Sequence, residues 1–110
     1  MEKSKIETYL GFCIRSRKII FGTEMIERQK KGVCLLIIDG GAGKNSFKPM
    51  LQAKERFGCP LVETTAGALG ETLHRPAVKA VAITDSNLAS AILSVVDSEP
   101  QFKIYSGGNH

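Results

Sequence analysis

The chain has 110 residues, of which 43% are hydrophobic and 24% are charged. This length and composition exclude a disordered chain and predict one domain over residues 1–105, with a disordered tail at 106–110. The three cysteines, Cys13, Cys34 and Cys59, are odd in number and lie in apolar stretches, which indicates buried thiols in a reducing compartment. No apolar run approaches the roughly 18 residues of a membrane helix. We therefore expect a cytoplasmic protein without a membrane partner.

The positive charge is concentrated in the first third of the chain. Between Met1 and Lys31 there are eight cations and four acids, so this segment carries the whole formal net charge of +4. Such an asymmetry predicts that one face of the protein meets a polyanion. The alternative is an ordinary solvated surface with scattered lysines.

A capping box marks the first predicted helix. Ser4 and Glu7 stand three residues apart, so each side chain would satisfy a free backbone N–H at the helix start. Apolar residues at helical spacing continue to about Ser16. The β-branched segment from Lys18 to Phe21 then predicts a short edge strand.

The stretch after this strand predicts a glycine turn and a second helix. Thr23 would be the N-cap, the helix would run to Lys31, and Gly32 would end it. The free N–H groups of its first turn would lie where a phosphate could accept from them. Cations flank the turn on both sides: Arg15, Arg17, Lys18, Arg28, Lys30 and Lys31. We interpret this stretch as an RNA-binding edge.

The uninterrupted apolar run from Val33 to Ile38 predicts a central strand covered on both faces. With the later strand and helix patterns, it predicts an α/β fold: a three-layer α/β/α sandwich around a mixed, mostly parallel four-stranded sheet. The residues expected at the centre of the sheet are Leu36, Ile38, Val81 and Ile83. Thr64 or Thr65 is expected to cap a short helix, and Asp85 to cap the last helix rather than to act in catalysis.

A glycine-rich loop follows the central strand, with Gly40 and Lys44 in it. A phosphate-binding P-loop would need glycine where Ile38 stands and Ser or Thr where Asn45 stands, so we expect a mobile surface loop instead. The cysteines and the two histidines have no metal-ligand spacing. The sequence therefore predicts neither a metal nor a cofactor.

Several stretches resemble the ribosomal protein L-seven-Ae/L-thirty-e family over roughly Lys5 to Val96. These are Gly22-Thr23 with a cation at Arg28, the strand from Leu35 to Ile38 with its Asp-containing loop, Thr65-Ala66-Gly67-Ala68-Leu69-Gly70, and Val81-Ala82-Ile83-Thr84-Asp85. The run from Leu10 to Lys18 is similar to the Leu-Gly-x-x-x-Arg-x-Arg-Lys stretch of the small bacterial YlxQ-like members. The resemblance implies an L-thirty-e-like sandwich, no enzymatic activity and binding of kink-turn RNA.

The resemblance also implies which residues contact RNA. Kink-turn binders present Gly-x-Asn-Glu-x-x-Lys at the second helix; here Gly22 and Arg28 match, whereas Glu24 and Met25 replace the Asn-Glu pair. The loops from Asp39 to Asn45 and from Glu63 to Thr65 correspond to regions that hold an extruded nucleotide. The implied RNA contacts are Arg15, Arg17, Lys18, Gly22, Thr23, Glu24, Arg28, Lys31, Gly40, Lys44 and Thr65.

The leading hypothesis is a monomeric, non-enzymatic RNA-binding protein associated with the ribosome or with translation. An aromatic content of 6% without Trp favours structured RNA over a single-strand stacking platform. A second hypothesis is a protein-interaction module of the same fold that has lost specific RNA binding. A third is a nucleotide enzyme that uses the Gly40 to Lys44 loop.

Overall fold

The computed structural model describes residues 4–105; the tail predicted to be disordered, 106–110, lies outside this range. Helices and strands alternate along most of the chain. The helices are α1 (Lys5–Arg15), α2 (Thr23–Glu27), α3 (Lys44–Phe57), α4 (Ala68–Leu73) and α5 (Ser86–Val95), followed by a 3-10 turn at Val96–Ser98. The strands are β1 (Ile19–Phe21), β2 (Leu35–Asp39), β3 (Leu61–Thr64), β4 (Ala80–Ile83) and β5 (Phe102–Ile104).

The strands of the described region form one five-stranded sheet in the order β1-β4-β2-β3-β5. β2 and β3 run parallel, with Leu36 opposite Leu61, whereas the other three pairings are antiparallel. The α/β class is confirmed, but the expectation of four mostly parallel strands is wrong. A strand covered by helices on both faces is apolar throughout whichever way its neighbours run, so the apolar run could not reveal their direction.

Two hydrophobic clusters lie on opposite faces of this sheet. Along β2, Leu35 and Ile37 pack in the cluster with α1, α4 and α5, while Leu36 and Ile38 pack in the cluster with α2 and α3. This alternation follows from the two-residue period of a strand. The predicted centre of the sheet is confirmed, because Leu36, Ile38, Val81 and Ile83 have no exposed surface.

Two residues far apart in the sequence, Ser4 and Glu99, cap the start of α1. The Ser4 hydroxyl accepts from the Glu7 N–H at 3.1 Å, as the capping box predicts. The Glu7 carboxylate, however, does not make the predicted bond to the helix start, because it contacts Nε2 of His74 at 2.9 Å. The carboxylate of Glu99 takes its place: it accepts from two first-turn N–H groups at 2.9 and 3.1 Å and from the Ser4 hydroxyl. The helix α1 is thereby tied to the segment before β5.

The thiols differ from one another in burial. Cys13 and Cys59 are buried as predicted, whereas Cys34 is half-buried, so the prediction is wrong for this residue. Burial, together with the negative charge of Asp85, raises the pKa of the Cys13 thiol to about 11. Burial also raises the pKa of Cys59. Cys34 precedes β2 at the end of the sheet, where helices cover it less completely.

Candidate functional site

The carboxylate of Asp39 lies fully buried at the end of β2 and holds two loops together. Its Oδ1 accepts from the N–H groups of Gly41 at 2.7 Å and Gly67 at 2.9 Å, and its Oδ2 accepts from the N–H of Leu69 at 3.1 Å. The Thr64 hydroxyl lies 3.4 Å from the same Oδ2, but its single proton is closer to the Thr65 carbonyl, at an O–O distance of 2.7 Å. The N–H bonds to Asp39 fix the start of the β2–α3 loop against the β3–α4 loop. The first part of the glycine-rich loop is therefore anchored, contrary to the mobile loop expected from its sequence.

The hydrogen bonds to Asp39 also set its charge. Burial by itself raises the pKa of this carboxyl. The N–H groups of Gly67, Gly41 and Leu69 and the positive charge of Lys79 together lower the pKa by more than burial raises it, so it lies below the ordinary 3.8. A carboxylate with several backbone donors is stabilised in its ionised form. Asp39 is thus a buried anion at neutral pH. From the sequence, Asp39 was expected only to lie in a loop. Its position as a polar residue at the end of an apolar strand was nevertheless a signal for this buried carboxylate.

Gly40 is required by the packing of these loops. A Cβ at this position would lie 2.3 Å from the carbonyl oxygen of Thr64, so no side chain fits. Thr65, the residue after Thr64, is exposed, and its N–H donates to the carbonyl of Gln101 at 2.9 Å. The prediction that Thr64 or Thr65 caps α4 is therefore wrong for both residues. Gly67 at φ +84 occupies the N-cap position of that helix, because the chain must turn there to bring its N–H to Asp39.

The implied RNA contacts fall at two opposite ends of the sheet. The Gly22 N–H donates to the carbonyl of Ala80, at the start of β4, whereas the Lys18 carbonyl accepts from Thr84, just beyond its end, both at 2.9 Å. β1 is extended between them, so Lys18 and Gly22 lie ~13 Å apart at the usual rise of about 3.3 Å per residue. We name these two regions the Gly22 end and the Lys18 end.

The Gly22 end contains most of the implied contacts. The Asp39 N–H donates to the carbonyl of Lys79 at 2.9 Å, which places the β2–α3 loop at the same end of the sheet as Gly22. This loop lies two strands from Gly22, or ~10 Å at the usual strand spacing, and the β3–α4 loop lies one strand further. The residues at this end are Gly22, Thr23, Glu24, Gly40, Lys44 and Thr65. Glu24, Lys44 and Thr65 are exposed.

A cleft lies at this end of the sheet. It has a volume of about 460 Å³ and is lined by Gly40, Glu63–Ala66 and Pro100–Lys103. Its walls come from the anchored loops and from the segment that leads into β5. Volumes of this size can hold a small molecule or one nucleotide.

The second helix is shorter than predicted and is capped differently. Gly22 at φ +89 is its N-cap without a side-chain bond, and Thr23 is its first residue, so the prediction of Thr23 as the cap is wrong. The helix ends at Glu27 instead of Lys31 because the guanidinium of Arg56 binds the carbonyls of Ile26 and Glu27, at 3.4 and 3.3 Å. Five helical residues provide only a small dipole. Any anion at the Gly22 end must therefore be held mainly by side chains and loop N–H groups.

The Lys18 end is built on the C-terminus of α1. The N–H of Arg17 donates to the carbonyl of Ile14 at 3.2 Å and that of Lys18 to Cys13 at 2.8 Å, which is a Schellman motif. Arg17 has φ +62 at the position that glycine usually occupies. Arg15, Arg17 and Lys18 are all exposed. In residues 4–105 the ion pair formed is that of His74 with Glu7, so these three cations have no carboxylate partner there.

The remaining implied contacts follow α2. Arg28 is the C-cap residue of this helix and Lys31 lies in the loop that leads to β2. Both side chains are exposed, and Nη1 of Arg28 lies 3.9 Å from the sulfur of Met25. Arg28 therefore lies beside the Gly22 end. Lys31 lies in the loop that leads from that end of the sheet to the start of β2 at the Lys18 end.

Among residues 4–105, no three His, Cys, Asp or Glu side chains lie together as metal ligands would. Within this range, no helix combines the length and hydrophobicity needed to cross a bilayer. Asp85 caps α5 as predicted, because its Oδ1 accepts from the Leu88 N–H at 2.9 Å.

Comparisons with known proteins identify the fold but not a family. No family model matches the chain, and no curated protein matches it. A solved structure of a protein of unknown function from Bacillus halodurans is similar, with a TM-score of 0.74 and 19% sequence identity. The similarity covers 86% of this chain and 99% of that chain. At this identity, it shows a shared architecture only.

Proposed function

We propose that this protein is a non-enzymatic RNA-binding protein of the L-seven-Ae/L-thirty-e type. It binds structured RNA at the Gly22 end and acts in association with the ribosome or with translation. The supporting features are the anchored loops, the exposed cations and the likeness of individual residues to that family.

The observation that carries the proposal is the convergence of separate chain segments at one end of the sheet. The β1–α2 turn, the β2–α3 loop and the β3–α4 loop correspond by resemblance to RNA-contacting regions, and they lie at the same end of the sheet, with β4 between β1 and β2. The Asp39 carboxylate holds two of them in one arrangement through backbone N–H groups. A preformed surface loses little conformational entropy when a ligand binds.

The charges and the cleft suit a polyanion with an extruded base. Arg28, beside the Gly22 end, and Lys44, within it, supply exposed positive charge. The cleft beside Gly40 is large enough for one unstacked nucleotide. The exposed hydroxyl of Thr65 stands at its rim and can donate to or accept from the sugar or base.

The residues that begin α2 set the selectivity. Met25 has no oxygen to accept from a guanine edge, and the Glu24 carboxylate repels phosphates. We therefore expect the protein to bind structured RNA mainly through phosphates and shape, with little preference for a kink-turn.

One observation favours the second candidate, a protein-interaction module. Met25 is 47% exposed at the start of α2, where the family resemblance expects a polar contact with RNA. An exposed thioether is common at surfaces that bind other proteins. If this candidate is correct, the same end of the sheet is the contact surface, but its partner is a protein.

Crosslinking in cells tests the two candidates against each other. Ultraviolet crosslinking of the full-length protein, followed by sequencing of bound RNA and mapping of the modified peptides, should recover structured RNA attached near the Gly22 end. Protein crosslinks at Met25 with no RNA above background would instead support the interaction module.

A further inference from the structure

The Lys18 end carries an exposed aromatic ring next to unpaired cations. Phe12, in the last turns of α1, is 44% exposed. The N–H and the hydroxyl of Ser16 both donate to its carbonyl, at 2.9 and 2.7 Å, so Phe12 lies one turn before Arg17 and Lys18. The guanidinium carbon of Arg15 lies 4.9 Å from the centre of its ring. A ring, a stacked guanidinium and two further cations thus share one surface.

The protein core does not account for this ring. The other Phe and Tyr side chains of residues 4–105 are half-buried or buried, and several pack against the two hydrophobic clusters. Phe12 is exposed and belongs to neither cluster. Arg17 adds a second cost, because a residue with a side chain at φ +62 is less stable than glycine there. Both features are explained if the surface binds a ligand that needs a flat apolar face and positive charge.

We propose that the Lys18 end binds an unpaired nucleotide in the strand that flanks the structured RNA. The base stacks on Phe12 and the guanidinium of Arg15, and Arg17 and Lys18 contact the neighbouring phosphates. The inference rests on the proposed function, since it adds a second contact ~13 Å from the Gly22 end along β1. An unpaired base is required because the face of a base inside a duplex is already covered by its neighbours.

The test compares two RNAs that share one structured element. One ends at the base of its stem, and the other carries single-stranded extensions at both ends. The full-length protein should bind the extended RNA roughly fivefold to tenfold more tightly, which is the lower range for stacking of one base on an aromatic side chain. The Phe12→Leu variant should lose this preference and keep its affinity for the short RNA. The Phe12→Tyr variant, which retains a ring, should keep the preference.

Two controls make the result specific. Ile104→Ala removes another exposed apolar side chain, at β5, and should leave the preference unchanged. A 5-iodouridine in the extension should photocrosslink to Phe12 in the wild type. Circular dichroism should show the same fold for all variants.

The outcomes separate the inference from the proposed function. Equal binding of both RNAs by the wild type, or an unchanged preference in folded Phe12→Leu, would overturn the second contact while leaving structured-RNA binding intact. Failure to bind either RNA would overturn both. A preference for the extended RNA that disappears only with the ring would establish the contact.

Discussion

The Asp39 carboxylate accepts a hydrogen bond from the N–H of Gly67 at 2.9 Å, which joins loops that follow two different strands. The same Oδ1 atom binds the N–H of Gly41, and Oδ2 binds that of Leu69. One buried carboxylate therefore orders both loops at once through hydrogen bonds to their backbone N–H groups. The shape of the Gly22 end depends on it.

Replacing Asp39 with Asn should destabilise the protein strongly. The amide has one acceptor oxygen and a donor group that faces the N–H groups now bound by the carboxylate, so we expect the free energy of unfolding to fall by about 3 kcal/mol. Urea unfolding followed by circular dichroism measures the change. Asp97→Asn, at an exposed position, is the matched control and should have little effect. Equal stability of the Asp39→Asn variant and the wild type would contradict the role assigned to this carboxylate.

The contribution of Asp39 should depend on pH in the acid range. Because its pKa is lower in the folded protein than the ordinary 3.8, the folded state is stabilised above that value and loses this stabilisation as the pH falls through the folded pKa. The wild type should therefore lose stability below about pH 4 more steeply than Asp39→Asn. Unfolding curves of both proteins between neutral pH and pH 2 would show whether the two stabilities converge. Parallel pH profiles would be inconsistent with a depressed pKa.

The sequence predicted much of the framework but few of the contacts that shape the site. Local signals identified the Ser4 cap, the burial of β2 and the Asp85 cap correctly. The partners of Asp39 could not be predicted, because the N–H group of Gly67 lies 28 residues away and reaches it only after the sheet has formed. The capping of α1 by Glu99 has the same cause. The separation of Lys18 from Gly22 was missed because neighbours in sequence lie far apart along an extended strand.

Replacing Arg17 with Gly should change stability and RNA affinity in opposite directions. Glycine adopts φ +62 without strain, so we expect stability to rise by about 0.5–1 kcal/mol. Loss of the guanidinium should at the same time weaken binding to RNA. Thermal unfolding and RNA titration of the same preparations measure both effects. Arg17→Ala should weaken RNA binding similarly without the gain in stability, and a gain in both properties for the glycine variant would refute a phosphate contact.

The double change Glu24→Asn and Met25→Glu should create selectivity for a kink-turn. It introduces the pair that reads sheared guanines in the L-seven-Ae/L-thirty-e family that the sequence resembles, so we expect tighter binding to a kink-turn than to a plain duplex, by about 1–3 kcal/mol by analogy with base readout in DNA. Competition titrations with both RNAs measure the difference. Selective, tight kink-turn binding by the wild type would show that Glu24 and Met25 do not remove this specificity.

The most direct test of structured-RNA binding at the Gly22 end is a titration of the wild type and the Arg28→Ala, Lys31→Ala, Lys44→Ala triple variant, over a range of salt concentrations and with RNAs that lack single-stranded extensions. If phosphate contacts supply the affinity, wild-type binding should weaken steeply with salt, and the log–log slope should fall by ~2–3 in the triple variant. The loss should be similar for a kink-turn and for a duplex, since phosphate contacts carry no sequence information. An Arg15→Ala, Arg17→Ala, Lys18→Ala control removes the same number of charges at the Lys18 end and should change the slope much less for these RNAs. Binding that is absent for every RNA, or insensitive to salt, would contradict the proposed function and favour a protein partner.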